Sequence, residues 1–245
     1  MRFPQTLLLL VATAACNPSP EPGNTLPPAP GNDAIAVQGM KQYAPLDLPN
    51  LEDNVRGDSL LVYTTHRIAA NRFIMAARNK EETREGLRLY LYEPRPDSTA
   101  DVLAVSAPAY DSEVMLPAFF STGDSADGIV VLANFGGKES WGQKVFWLKD
   151  HAFHDLGWID VAHREWRTVD GQTEQRRTNI APYTQVSGQD GRFFFTFTGD
   201  SLQLYDDLEG QMERMFPASS VAYRHEGGHM TLLVDGKPRL PAAPL

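Results

Sequence analysis

Apolar and polar side chains alternate with a period of two through much of the chain. Leu87, Leu89 and Leu91 are interleaved with Arg88, Tyr90 and Tyr92, and Phe193, Phe195 and Phe197 with Phe194, Thr196 and Thr198. Leu202 and Leu204 alternate with Gln203 and Tyr205, while Met230, Leu232 and Val234 alternate with Thr231, Leu233 and Asp235. Residues i and i+2 share a face only on a pleated strand, so this pattern selects β-structure and disfavours helices. Further runs rich in β-branched and aromatic residues are Leu60 to Thr64, Arg72 to Ala77, Val102 to Val105, Ile129 to Phe135, Lys144 to Leu148 and Trp158 to Val161. Between the runs stand Asp127-Gly128, Gly136-Gly137, Asp170-Gly171, Asp190-Gly191, Gly227-Gly228 and Asp235-Gly236, which supply the positive φ that tight hairpin turns need. The charged stretch Asn79 to Arg88 contains Gly86 and reads as a polar loop.

The predicted fold is all-β: an antiparallel meander, either propeller-like with about four small blades or a two-sheet sandwich. Blades take about 40–45 residues each. Gly57-Asp58-Ser59-Leu60 and Gly199-Asp200-Ser201-Leu202 repeat one bend that opens a strand, without a fixed period.

Composition narrows the function. Hydrophobic residues make up 42% of the chain, an ordinary share for a folded domain. Against 22 Lys and Arg stand 31 Asp and Glu, a formal charge of −9, so nucleic acid is not an expected partner. One cysteine excludes an intramolecular disulfide and any multi-cysteine metal site, and no cofactor is expected.

The amino terminus carries the clearest address. Arg2 precedes the apolar run Leu7 to Ala12, and Thr13-Ala14-Ala15 supplies small residues before a cleavage point, the anatomy of an export signal. The apolar run is far below the ~20 residues that span a bilayer. Cys16 follows directly, and Thr13-Ala14-Ala15-Cys16 resembles the lipobox of bacterial lipoprotein signal peptides. That resemblance implies that Cys16 is lipidated and becomes the first mature residue. From Asn17 to Asn32, sixteen residues include six prolines, and Glu21 is the only charge. Such a segment cannot bury a core and extends as a tether. The predicted organisation is a signal peptide over 1–15, the lipid-anchor site and tether over 16–49, and a single all-β domain over 50–245. Asn17 after the lipidated position is compatible with sorting to the outer membrane, so a periplasm-facing outer-membrane location is favoured over the cell surface.

Four constellations bear on chemistry. Gly57-Asp58-Ser59-Leu60 resembles the opening block of the GDSL esterases and lipases, and Asp160-Val161-Ala162-His163 has the Asp-x-x-His spacing of their acid and base. The resemblance implies Ser59 as nucleophile, His163 as general base and Asp160 as its orienter. It also implies an α/β fold, whereas the polar stretch Glu52 to Arg56 stands where that family has a buried strand. His225-Glu226-Gly227-Gly228-His229 has the formal His-Glu-x-x-His pattern of zinc peptidases. Two glycines disfavour the helix this chemistry requires, so a hairpin is expected, one that would set His225 opposite His229 across two strands, close enough to share a metal. His151, His154 and His163 are read as loop histidines. Trp141, Trp147, Trp158 and Trp166 are candidate aromatic platforms for a peptide or glycan, with core packing as the competing role. The polar stretch Arg164 to Arg177 is expected to form a solvated arm around Asp170-Gly171.

The expected function is therefore non-catalytic. A lipid-anchored β-domain would bind or scaffold an envelope protein, peptide or glycan, its membrane contact being the N-terminal lipid. The alternative is a GDSL-like serine hydrolase using Ser59, His163 and Asp160.

Overall fold

In the computed structural model, residues 39–51, 59–81, 86–97, 99–109, 114–137, 140–206 and 212–239 are described. The export signal, Cys16 and the proline-rich segment lie outside them, as do Gly57 and Asp58. In chain order the strands are β1 (Lys41–Leu46), β2 (Leu60–Ala69), β3 (Arg72–Asn79), β4 (Arg88–Pro94), β5 (Ala100–Val105) and β6 (Val114–Ser121). They continue with β7 (Ile129–Gly137), β8 (Ser140–Lys149), β9 (Ala152–Ile159), β10 (Val161–Val169), β11 (Gln172–Thr178) and β12 (Thr184–Gln189). The last are β13 (Arg192–Phe197), β14 (Ser201–Asp206), β15 (Met212–Pro217), β16 (Val221–Glu226), β17 (His229–Val234) and β18 (Lys237–Pro238). Among the described residues only single 3₁₀ turns interrupt them, and no helix is long and apolar enough to cross a membrane.

The fold is all-β and every pairing is antiparallel. Strands distribute as ten, four and four among three sheets rather than equally among four blades. The largest has the order β18-β17-β16-β13-β12-β1-β6-β7-β8-β9. It curls until its ends meet: Gly157 of β9 lies so close to Met230 of β17 that a Cβ at Gly157 would sit 2.7 Å from the Met230 Cβ. The smaller sheets have the orders β11-β10-β14-β15 and β2-β3-β4-β5.

Two cores follow from the period of two. One face of the ten-stranded sheet gathers Phe120, Val130, Val145, Val186, Phe195 and Tyr223, and Leu202 and Leu204 of β14 join them. The alternate residues Phe119, Val131 and Phe146 point the other way and pack on Ile74, Leu89 and Leu91 of the sheet β2–β5. Strands β6 to β8 are thus buried on both sides, which is why Ile129 to Ala133 reads as an unbroken apolar run. The sheet β2–β5 packs on the outer face of β6–β8, one face-to-face pair within a three-sheet antiparallel fold.

β1 joins the halves of the large sheet. Lys41 to Tyr43 pair with β12, and Ala44 to Leu46 pair with β6. This corrects the expected boundary at residue 50: the folded domain already includes Lys41, inside the stretch assigned to the tether. Tyr43 is the one buried side chain of the strand and Pro45 interrupts its donors, so no alternation marks it in the sequence.

Turn chemistry follows the glycines. Asp170-Gly171, Asp190-Gly191, Gly227-Gly228 and Asp235-Gly236 have positive φ at both positions, the mirror-image turn that suits twisted strands. Gly136-Gly137 instead belong to the end of β7. The β8–β9 turn is made without glycine by Asp150 and His151, at φ 49° and 59°.

Candidate functional site

A cleft of about 460 Å³ opens between the edge of the sheet β2–β5 and the loop-bearing end of β6–β9. Leu46, Ile68, Leu91, Ile129 and Leu148 form its apolar floor. Its rim is polar: Arg72 follows the β2–β3 turn, Ser121 ends β6, Ser125 belongs to the β6–β7 connection, and Lys149 ends β8 before the Asp150-His151 turn. Volume and lining match the usual pattern of small-molecule sites, an apolar floor with a few polar groups at its edge.

The walls are fixed by hydrogen bonds. Lys41 Nζ donates to both carboxylate oxygens of Asp127 at 2.7 and 2.8 Å, and Thr122 Oγ1 donates to the same carboxylate at 2.7 Å. These bonds to Lys41 and Thr122 hold the Asp127 carboxyl below the usual carboxylate range. The Asp127 carbonyl accepts from Tyr43 Oη at 3.0 Å and from Trp147 Nε1 at 2.8 Å. Burial pushes the Tyr43 phenol up to about 12, so it remains a donor at any physiological pH. On the opposite wall Arg72 is clamped by Glu93 through Nε at 3.0 Å and Nη2 at 2.7 Å.

The sequence candidates are dispersed. Ser59 heads β2, where its carbonyl accepts from the Lys80 amide, whereas Asp160 and His163 lie at the start of β10 in a different sheet. No hydrogen bond joins Ser59 to His163 among the described residues. The His163 ring stacks on Tyr183 with centroids 4.0 Å apart, and its buried Nδ1 has no partner. The second Gly-Asp-Ser-Leu block opens β14, in keeping with a strand-opening bend.

His225 and His229 flank a hairpin turn at Gly227-Gly228, as the paired glycines indicate. The register sets Glu226 opposite His229 and His225 opposite Met230, so the two imidazoles fall on opposite faces. No group of three metal-ligating side chains occurs among the described residues. His151 is an exposed turn residue, and His154 is exposed with its ring 5.5 Å from Trp147.

The tryptophans serve different layers. Trp147 packs edge-on against Phe193 in the inner core, and Trp158 packs against Phe135 in the outer one, under the Lys144 ammonium at 4.5 Å. Trp166, 69% exposed, stands on the expected β10–β11 arm. The backbone of Trp141 belongs to β8, and its side chain lies outside the described residues.

The cleft residues carry no motif. They come from segments far apart in the chain and converge only because two sheets pack, so the sequence signal was limited to the apolar faces that force that packing.

Two histidines couple the fold to pH. His66 and His225 are each 6% exposed, each donates Nδ1–H to a backbone carbonyl (Leu48 at 2.8 Å, Gly191 at 3.2 Å), and each has an unpartnered buried Nε2. Burial lowers both imidazole pKa values below the ordinary 6.5. The unfolded chain therefore takes up protons that the folded chain refuses, and stability present at pH 7 is lost as pH falls through about 6.5 toward the folded values. The urea midpoint is expected to drop between pH 7.5 and pH 5.5. A His66→Asn/His225→Asn double variant should show a flatter dependence, and an unchanged slope would contradict this assignment.

No family model matches the chain, and no curated protein or solved structure is significantly similar to it.

Proposed function

We propose that the protein is a lipid-anchored bacterial envelope protein whose β-domain binds a ligand without transforming it, and that the cleft between the sheet β2–β5 and β6–β9 is where binding occurs. The observation that carries this reading is the cleft itself: an apolar floor, a polar rim and walls held in place by the Asp127 and Arg72–Glu93 contacts. A site with pre-set walls loses little conformational entropy on binding. The Thr13-Ala14-Ala15-Cys16 segment and the following prolines support the placement, on a tether at the periplasmic face of the outer membrane. A single acyl chain anchors a protein only marginally, whereas two or more hold it stably.

Ala69 lies exposed on the cleft wall at the end of β2, so Ala69→Trp fills the opening without touching either core. Native mass spectrometry of the gently purified protein is expected to show an added ligand mass that Ala69→Trp removes. Equal masses, or no added mass in the unsubstituted protein, would count against binding at the cleft. For the anchor, Cys16→Ser is expected to move the protein from the membrane pellet to the soluble periplasmic fraction, and retention in the pellet would refute acylation.

A further inference from the structure

We infer that residues 33–38 dock across the outer face of β13, β16 and β17 and cover it. Over β6–β8 the outer face of the large sheet is covered by the sheet β2–β5. On the other half, Phe193, Phe195, Val221, Tyr223 and Leu232 belong to the inner core, so their neighbours Phe194, Ala222 and Leu233 point outward. An outward row on an antiparallel sheet is polar where it meets water. Here the three side chains are apolar and between 1% and 4% exposed. Among the described residues, Met40 is the apolar side chain packed on them. Met40 directly precedes β1, and Leu233 lies four strands away in the order β1-β12-β13-β16-β17, a distance of about 19 Å at ~4.8 Å per strand. One methionine does not span it.

The chain just ahead of Met40 does. Fully extended, residues 33–38 reach about 20 Å. Gly39, at φ +88°, bends the chain before Met40. Ala34-Ile35-Ala36-Val37 has no proline, whereas the sixteen residues before Asp33 hold six. In an extended segment Ile35 and Val37 share one side, an aliphatic pair suited to the Phe194–Leu233 surface. Being joined to Met40, this segment meets the face at a high effective concentration that a second copy or a separate partner lacks. The other segment near Leu233 is 240–245. The Arg239 amide donates to the Leu232 carbonyl at 2.9 Å, which directs the following residues alongside β17 rather than across the face. Docking moves the point where the tether leaves the domain from β1 to β17.

The test uses the full chain carrying Cys16→Ser, so that no lipid takes part and one introduced thiol reports. Ile35→Cys is expected to react with a thiol reagent about tenfold slower than Gly31→Cys, the protection given by a docked population of about nine-tenths. Adding Val37→Asp in the segment should restore the faster rate. So should Thr231→Lys, which lies on the outer face two residues from Leu233, in a variant with unchanged circular dichroism. Leu116→Lys, on the exposed part of β6, should leave the reaction slow. Equal rates at positions 31 and 35 overturn the inference, and a slow Leu240→Cys in that case assigns the cover to the carboxyl terminus. Protection at position 35 that survives Thr231→Lys places the segment on another surface and overturns it as well. Protection that fades on dilution, with a dimer in sedimentation, replaces the segment by a second copy of the chain.

Discussion

Phe146→Ala is expected to lower the unfolding free energy by about 3–5 kcal/mol, the range for removing a fully buried aromatic side chain. Phe146 has no solvent exposure and lies between β6–β8 and the sheet β2–β5, edge-on to Phe153. The loss has two parts, the transfer energy of the ring and the void left where two stiff sheets cannot collapse. Against a typical total of about 5–15 kcal/mol, such a change consumes much of the margin. Urea denaturation at pH 7.5 checks it through a lowered midpoint with an unchanged slope. Leu116→Ala is the control. Leu116 is 43% exposed on β6, and its removal should shift stability by no more than about 0.5 kcal/mol. A Phe146→Ala shift as small as the control's would mean that the two sheets are not held by this core.

The second large effect belongs to the cleft wall. Gly128 has φ +76°, and a Cβ there would sit 2.5 Å from the Leu148 carbonyl oxygen and 2.9 Å from Trp147 Nε1. Gly128→Ala therefore combines an extended positive-φ backbone (φ 76°, ψ −168°) open essentially to glycine alone, costing about 1–3 kcal/mol, with overpacking, costing about 1–3 kcal/mol. The intruding methyl also lies where the indole N–H reaches the Asp127 carbonyl, so Trp147 fluorescence should shift as that bond breaks. Gly171→Ala is the comparison without crowding: φ there is +78°, in a hairpin turn, and nothing lies within 4 Å of the added carbon. The expected order is a clear loss for Gly128→Ala and a smaller one for Gly171→Ala. Equal losses would show that the wall yields to the methyl group.

Alternation made the fold class legible because a strand with one dry and one wet face has to write its period into the chain. The hairpin at Gly227-Gly228 was legible for a similar reason: adjacent glycines suit two successive positive φ angles and weaken a helix. β1 was not legible, because its order comes from partners on both sides rather than from its own six residues. The Asp150-His151 turn carried no glycine to mark it. The three-sheet arrangement and the cleft were beyond the sequence, since Phe119 and Phe120, or Val145 and Phe146, look alike as neighbours and only assembly sends them to different cores. Face assignment of the histidines likewise depended on register, where one residue decides which side a ring occupies.

The pairing of β1 has a consequence for how the chain is made. Gln42 and Ser187, side by side across the joint, are 145 positions apart. Domains emerge from synthesis amino end first, at about 5–20 residues per second. The first strand to appear thus waits several seconds for β12, and until then the edge formed by Lys41 to Tyr43 is open to the wrong chain. A protein built this way is most vulnerable to aggregation before its carboxyl-terminal third arrives, and a chaperone that shields Lys41 to Leu46 would serve it best in that interval.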